Sequence, residues 1–156
     1  MKISVTKTKD LVTPSLKANL QKVSSPRPAL EAMGLAVVSL AKRSFTNPAV
    51  RAAPWPALKP ATIVAKKKAG RSEKPLQRTG TLAKSPRITE VTNRNVTVGS
   101  DRKAGSHSLA AIHQLGSPAA KIPARPMFPF DKNGKPTDRA RRNVISAAEA
   151  ALKIQK

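Results

Sequence analysis

Arg87-Ile88-Thr89-Glu90-Val91-Thr92-Asn93-Arg94-Asn95-Val96-Thr97-Val98-Gly99-Ser100 is the stretch that puts a sheet into this chain. Two short runs, Arg87 to Thr92 and Val96 to Ser100, flank Asn93-Arg94-Asn95, and asparagine tolerates left-handed turn geometry. Ile88, Val91, Val96 and Val98 supply the apolar content. The stretch therefore predicts a β-hairpin.

Upstream, Leu30, Met33, Val37, Leu40, Ala41 and Phe45 recur at steps of three and four, which predicts an amphipathic helix. Pro28 suits its first turn, Ser25 or Arg27 precedes it, and Asn47-Pro48 ends it. Leu11, Val12, Leu16, Leu20 and Val23 mark an earlier helix, with Pro14 tolerated only in its first turn. Ile3 and Val5 alternate with polar neighbours as in a short strand. Between the long helix and the hairpin, residues 48–60 hold four prolines around Trp55 and read as an extended loop. Pro60 opens a short helix, Ala61 to Ala69, stopped by Gly70. Downstream, Ser108 to Leu115 predicts a helix ended by Gly116, and prolines 123, 126 and 129 keep Ala119 to Phe130 extended. Thr137 or Asp138 caps a last helix bearing Val144, Ala148, Ala151 and Leu152. Its early turns carry Arg139, Arg141 and Arg142, at the positive end of the helix dipole, where an external anion or acidic partner would suit them.

The 156 residues carry 30 Lys plus Arg against 8 Asp plus Glu, a formal charge of +22. Leu, Ile, Val and Phe make up about 21% of the chain, close to the lower limit for a packed domain. Alanine adds 24 residues, and the aromatics are Trp55, Phe45, Phe128 and Phe130. The core must be thin, and self-repulsion favours an acidic partner. No deep apolar enzyme pocket is expected.

The absence of cysteine removes disulfides, thiolate nucleophiles and Cys-ligated zinc and points to a reducing compartment. No run has the apolar length of a membrane span or a secretory signal. His107 and His113 lie about 240° apart on a helix and cannot share a metal ion there. The acids are scattered, no Ser sits in a nucleophile elbow, and no glycine pattern cradles phosphate. Catalytic, metal and cofactor residues are therefore all expected to be none, and the chain is not expected to be an enzyme. Lys66-Lys67-Lys68, with Arg71 and Arg78, forms a basic segment that would contact an acidic neighbour or DNA by charge alone. It lacks the interleaved aromatics of a single-strand binder, and a solvated face is the plain alternative.

Three blocks share an order and spacing beyond turn chemistry. They are Trp55 with Leu58 and Thr62, then Leu76-Gln77-Arg78-Thr79-Gly80-Thr81-Leu82-Ala83-Lys84-Ser85, then Ala111-Ile112-His113-Gln114-Leu115-Gly116 followed by Ile122-Pro123-Ala124-Arg125-Pro126-Met127-Phe128. Together they resemble the phage virion-morphogenesis family of small tail-completion and neck proteins, over nearly the whole chain. Ala104 to Ser108 is an insert relative to that pattern, and Met127-Phe128-Pro129-Phe130 departs from it.

The resemblance implies an α+β fold, with helices packed on one face of a small antiparallel β-sheet, similar to tail terminators and connectors, with extended proline-rich arms. One domain would span residues 1–156, with loops or arms at 48–60, 66–78 and 117–136. The motif residues Trp55, Thr79, Gly80, Leu82, Ser85, His113, Gln114, Gly116, Pro123, Arg125 and Pro126 would be architectural. The implied role is a structural part of the virion at the head–tail junction, assembled in the host cytoplasm. Its partners would be itself, in a ring such as a hexamer, and neck, tail or portal-side proteins. Packaged DNA would be touched non-specifically, and a membrane not at all. Ile122, Arg125, Phe128 and Phe130 are expected to lie on an adjacent subunit or a neighbouring ring, with Arg125 offering a bidentate carboxylate contact and Phe128 an apolar anchor. The rival readings are a capsid assembly factor and a general nucleic-acid-binding protein.

Overall fold

The hairpin meets the long helix at a point where only a glycine fits. In the computed structural model, residues 25–152 are described. The strand expected at residues 1–5 and the helix expected from Leu11 to Val23 lie outside them. Helix α1 is Arg27–Arg43, strand β1 is Arg87–Val91 and β2 is Val96–Gly99. A β-carbon on Gly34 would stand 2.6 Å from Val96 Cγ2 and 2.9 Å from Ile88 Cδ1. The bare backbone at Gly34 lets both strands settle on α1.

The antiparallel register pairs Arg87 with Gly99, Ile88 with Val98 and Val91 with Val96, with an irregularity between Ile88 and Glu90. The turn differs from expectation. Positive φ among the described non-glycine residues falls at Leu76 and Lys121, so Asn93 and Asn95 do not adopt left-handed geometry. The Thr92 hydroxyl shapes the turn instead, accepting from the amides of Arg94 at 3.1 Å and Asn95 at 2.9 Å. A hydroxyl that mimics a backbone acceptor closes a turn without left-handed residues.

Helix α1 ends at Arg43, sooner than Asn47-Pro48 suggested. Ser44 donates its hydroxyl to the Ala41 carbonyl at 2.7 Å, and Asn47 N–H reaches the Arg43 carbonyl at 2.8 Å. Asn47 then caps a 3-10 turn, Pro48–Val50, by accepting from Ala49 N–H at 3.0 Å. Val50 packs with Leu40 and with Ala140 of the last helix, α5 (Asp138–Leu152). Thr137 is the residue that caps α5, accepting from Ala140 N–H at 3.2 Å.

Between these lie α2 (Pro60–Lys68) and a single turn, α3 (Thr81–Lys84). The insert forms a second ladder, with β3 (Lys103–Ala104) antiparallel to β4 (His107–Ser108), leading into α4 (Leu109–Leu115). The α+β class holds, with two separate two-stranded sheets where a single small one was expected. The core is as thin as the composition required. Phe45, Leu82, Ala110 and Met127 form its second cluster, flanked by Trp55, Leu76 and Phe128.

Candidate functional site

The motif residues converge where loop residues 51–58 and arm residues 117–130 close on α4. Trp55 stands edge-on to Phe45, with ring centroids 5.4 Å apart and planes at 82°, a favoured aromatic geometry. The Arg51 guanidinium lies 4.0 Å over its face, a cation–π contact, while Arg51 Nε donates to the Ser44 carbonyl at 2.7 Å. Trp55 Nε1 donates to the Pro126 carbonyl at 2.8 Å. In return, Arg125 donates from Nε to the Pro56 carbonyl at 3.0 Å and from Nη2 to the Ala57 carbonyl at 3.2 Å.

This corrects the expectation for Arg125. The residue is 7% exposed and its fork is turned onto backbone carbonyls of its own chain. A buried guanidinium needs acceptors, and two carbonyls of a proline-rich loop, freed because prolines donate nothing, provide them. Burial lowers its pKa, yet an arginine stays charged.

Gln114 fastens the next residues of the arm. Its Oε1 accepts from the amides of Met127 at 3.0 Å and Phe128 at 2.9 Å, and Nε2 donates to the Phe130 carbonyl at 2.8 Å. An extended segment has no ladder to satisfy its backbone, so a side-chain amide supplies both polarities. Gly116, at φ +80°, ends α4, and a β-carbon there would meet Ala124 N at 3.0 Å and Ile122 O at 3.1 Å. The His113 carbonyl accepts from Arg125 N–H at 2.6 Å. The ring's Nδ1 is buried with no hydrogen-bond partner among the described residues, and burial, then the charge of Arg125, lowers the ring's pKa.

The other motif block also bonds and packs within the chain. Gly80, at φ +73°, precedes α3; Leu82 enters the core; the Thr79 and Thr81 hydroxyls lie 2.8 Å apart. Ser85 donates to the Leu82 carbonyl at 2.8 Å and lies 2.7 Å from Ser100 Oγ at the end of the hairpin. Gln77, quoted in that block without a role, donates to the Phe45 carbonyl at 2.8 Å. Arg51 belongs to no motif, and only its nearness to Trp55 hinted at stacking. Pro126 is buried, Pro123 is exposed, and Ile122, Phe128 and Phe130 are half-buried.

The basic segment lies apart from this knot. Lys66, Lys67 and Lys68 form the last turn of α2, where cations suit the helix dipole. Lys66 is half-buried, donates to the Lys74 carbonyl at 2.6 Å, and has its pKa lowered by burial against the opposing pull of Glu73. Lys67, Lys68 and Arg78 are exposed, and Arg71 is half-buried. Among the described residues two ion pairs form, Arg27 with Glu31 and Arg87 with Asp101, both exposed, so most of the positive charge is left uncompensated within the chain.

Among the described residues no group of three or more His, Asp or Glu could hold a metal ion. No helix there is long and apolar enough to cross a membrane. What converges at the motif is a fastening for two proline-rich segments, with polar atoms spent on backbone.

Residues 7–153 match the phage virion morphogenesis family, and the chain belongs to that family. No curated protein and no solved structure matches it.

Proposed function

We propose that this virion morphogenesis protein is a structural part of the head–tail junction, a ring-forming component that completes the tail or neck so that heads and tails can join. The observation that carries this reading is where the family's motif spends its polar groups. Trp55, Gln114 and Arg125 satisfy carbonyls and amides of their own proline-rich segments, which makes a rigid surface. Rigid loops lose little entropy on docking, which suits a part that must seat between larger assemblies. Rings use heterologous contacts, one face of each subunit against a different face of the next. Ile122, Phe128 and Phe130, half-exposed on the fastened arm, are the residues we assign to such a contact.

The charge favours an acidic neighbour or the DNA passing through the junction, with Lys67, Lys68 and Arg78 as the exposed contacts. The test is negative-stain microscopy of lysates from a phage lacking this gene. Full heads beside separate tails, rescued by added purified protein, are expected. Aberrant or missing heads beside normal tails would assign the protein to capsid assembly and overturn the junction. Normal virions, with steeply salt-dependent DNA binding by the purified protein, would favour the nucleic-acid reading.

A further inference from the structure

None of the nine residues of helix α2 (Pro60–Lys68) is buried. So short a helix gains little stability in water from propensity alone, and the β-branched run Thr62-Ile63-Val64 lowers that propensity further. Ile63 and Lys66, both half-buried, mark its inner side, where Lys66 donates to the Lys74 carbonyl. The outer side presents Val64, 66% exposed. At helical spacing Lys67 lies about 60° to one side of Val64 and Lys68 about 40° to the other, with Ala61 beside Lys68. All three of these neighbours are exposed. The helix dipole accounts for lysines in this last turn, but not for a valine set between them in solvent.

We propose that this outer face docks on an acidic protein surface, with Val64 entering an apolar pocket and Lys67 and Lys68 meeting carboxylates at its rim. The inference rests on the acidic neighbour of the junction reading and specifies it as protein. Protein interfaces place an apolar anchor at the centre and charge around it, which is the arrangement of Val64 between its two lysines. Packing of Val64 and Ala61 against the partner supplies the burial that α2 lacks within the chain. Duplex DNA would be held through the lysine charges alone and gives the valine between them nothing to bury against. A second copy of this chain matches poorly, since it offers 8 acids among 30 bases, and Glu31 and Asp101 are already paired.

Val64→Ser removes the anchor at nearly equal helix propensity. The full-length variant, and Lys67→Gln with Lys68→Gln, are added to an extract of a phage lacking this gene, and joining is scored by microscopy. Retention of duplex DNA on filters is measured for the same proteins. Val64→Ser is expected to reduce joining about tenfold, while its DNA retention and thermal midpoint stay at the wild-type level. The double lysine variant is expected to reduce both joining and retention. Wild-type joining by Val64→Ser, or a loss of joining matched by a loss of DNA retention, overturns the proposal. A second measurement places the photocrosslinking residue benzoylphenylalanine at position 64 and irradiates the completed extract. The expected product is a crosslink to another protein, at a peptide with Asp or Glu close to the linked residue. A crosslink to DNA, to a second copy or to a peptide without carboxylates, or no crosslink, overturns the proposal. Heads that fail to form without the gene would defeat the junction reading instead. The same variants are then scored on head assembly, where the expected contrast between Val64→Ser and DNA retention is unchanged.

Discussion

Trp55 and Arg125 hold each other's loops in opposite directions: the indole donates to the carbonyl after Arg125, and the guanidinium donates to the two carbonyls after Trp55. The clasp joins segments about 70 residues apart in sequence, and each half positions the acceptor for the other. Arg125→Lys keeps the charge but loses the planar fork, and is expected to cost about 2 kcal/mol of stability. Trp55→Phe keeps the edge-on ring and loses one donor, for about 1 kcal/mol. Because both remove one device, the double variant should cost less than the two singles added, by on the order of 1 kcal/mol. Urea denaturation of the four proteins measures this, and strict additivity would dissolve the clasp into two independent contacts.

Gly34 sets two opposing effects against each other. Alanine in a helix interior is favoured over glycine by about 1 kcal/mol. The new β-carbon, however, would meet Val96 Cγ2 at 2.6 Å, and overpacking of this kind costs about 1–3 kcal/mol. The clash wins, so Gly34→Ala is expected to lower the thermal midpoint. In a Val96→Ala background the closer clash is gone while Ile88 Cδ1 still stands 2.9 Å away, so the same substitution should lower the midpoint by less. A midpoint that falls equally in both backgrounds would mean that the hairpin does not rest on α1 there.

Gln114→Met preserves length and removes all polarity. It strands the amides of Met127 and Phe128 and the carbonyl of Phe130, with an expected cost on the order of 2 kcal/mol. Hydrogen exchange at those two amides should accelerate, while the pairing amides of β1 and β2 stay protected under the same conditions. Unaltered exchange at Met127 and Phe128 would show that they find other acceptors.

His113 makes stability depend on pH. Its folded pKa lies below the ordinary 6.5, because burial and then Arg125 both oppose a charged ring. The unfolded chain therefore binds the proton more readily, and stability falls as pH drops through about 6.5 toward the folded value, then levels off. Above 6.5 this residue contributes no slope. His113→Gln should flatten the loss on the acid side, as read from thermal midpoints between pH 5 and 8. An identical acid-side slope in wild type and variant would locate the effect elsewhere.

The elements with a strong apolar period were legible in advance: α1, the hairpin, α4 and α5 occur where the spacing and the flanking prolines and glycines set them. Their ends were less so, because Ser44 and Asn47 close the end of α1 through bonds that no periodicity records. The turn at residues 92–95 was misjudged for a similar reason, since a threonine hydroxyl did what the asparagines were expected to do. At the motif, the residues were visible but the partners were not. An arginine between prolines suggested a reach outward, yet its acceptors lay in a loop 68 residues earlier, a contact only tertiary structure could reveal. Gln114 carries the same lesson, because its acceptors and donors belong to an arm without a repeating pattern.

The basic segment gives the sharpest test of the junction reading, provided the right lysines are changed. Lys66 holds the Lys74 carbonyl, so replacing it disturbs the loop as well as the charge. Lys67 and Lys68 are exposed. Lys67→Gln with Lys68→Gln should leave the stability within about 0.5 kcal/mol of wild type, as surface changes do. Joining of heads and tails in a complementation extract should weaken, and the deficit should shrink at high salt, where screening has already removed most of the charge's influence on both proteins. A deficit of equal size at every salt concentration would point to a shape effect. Unchanged joining at low salt would remove this segment from the contact.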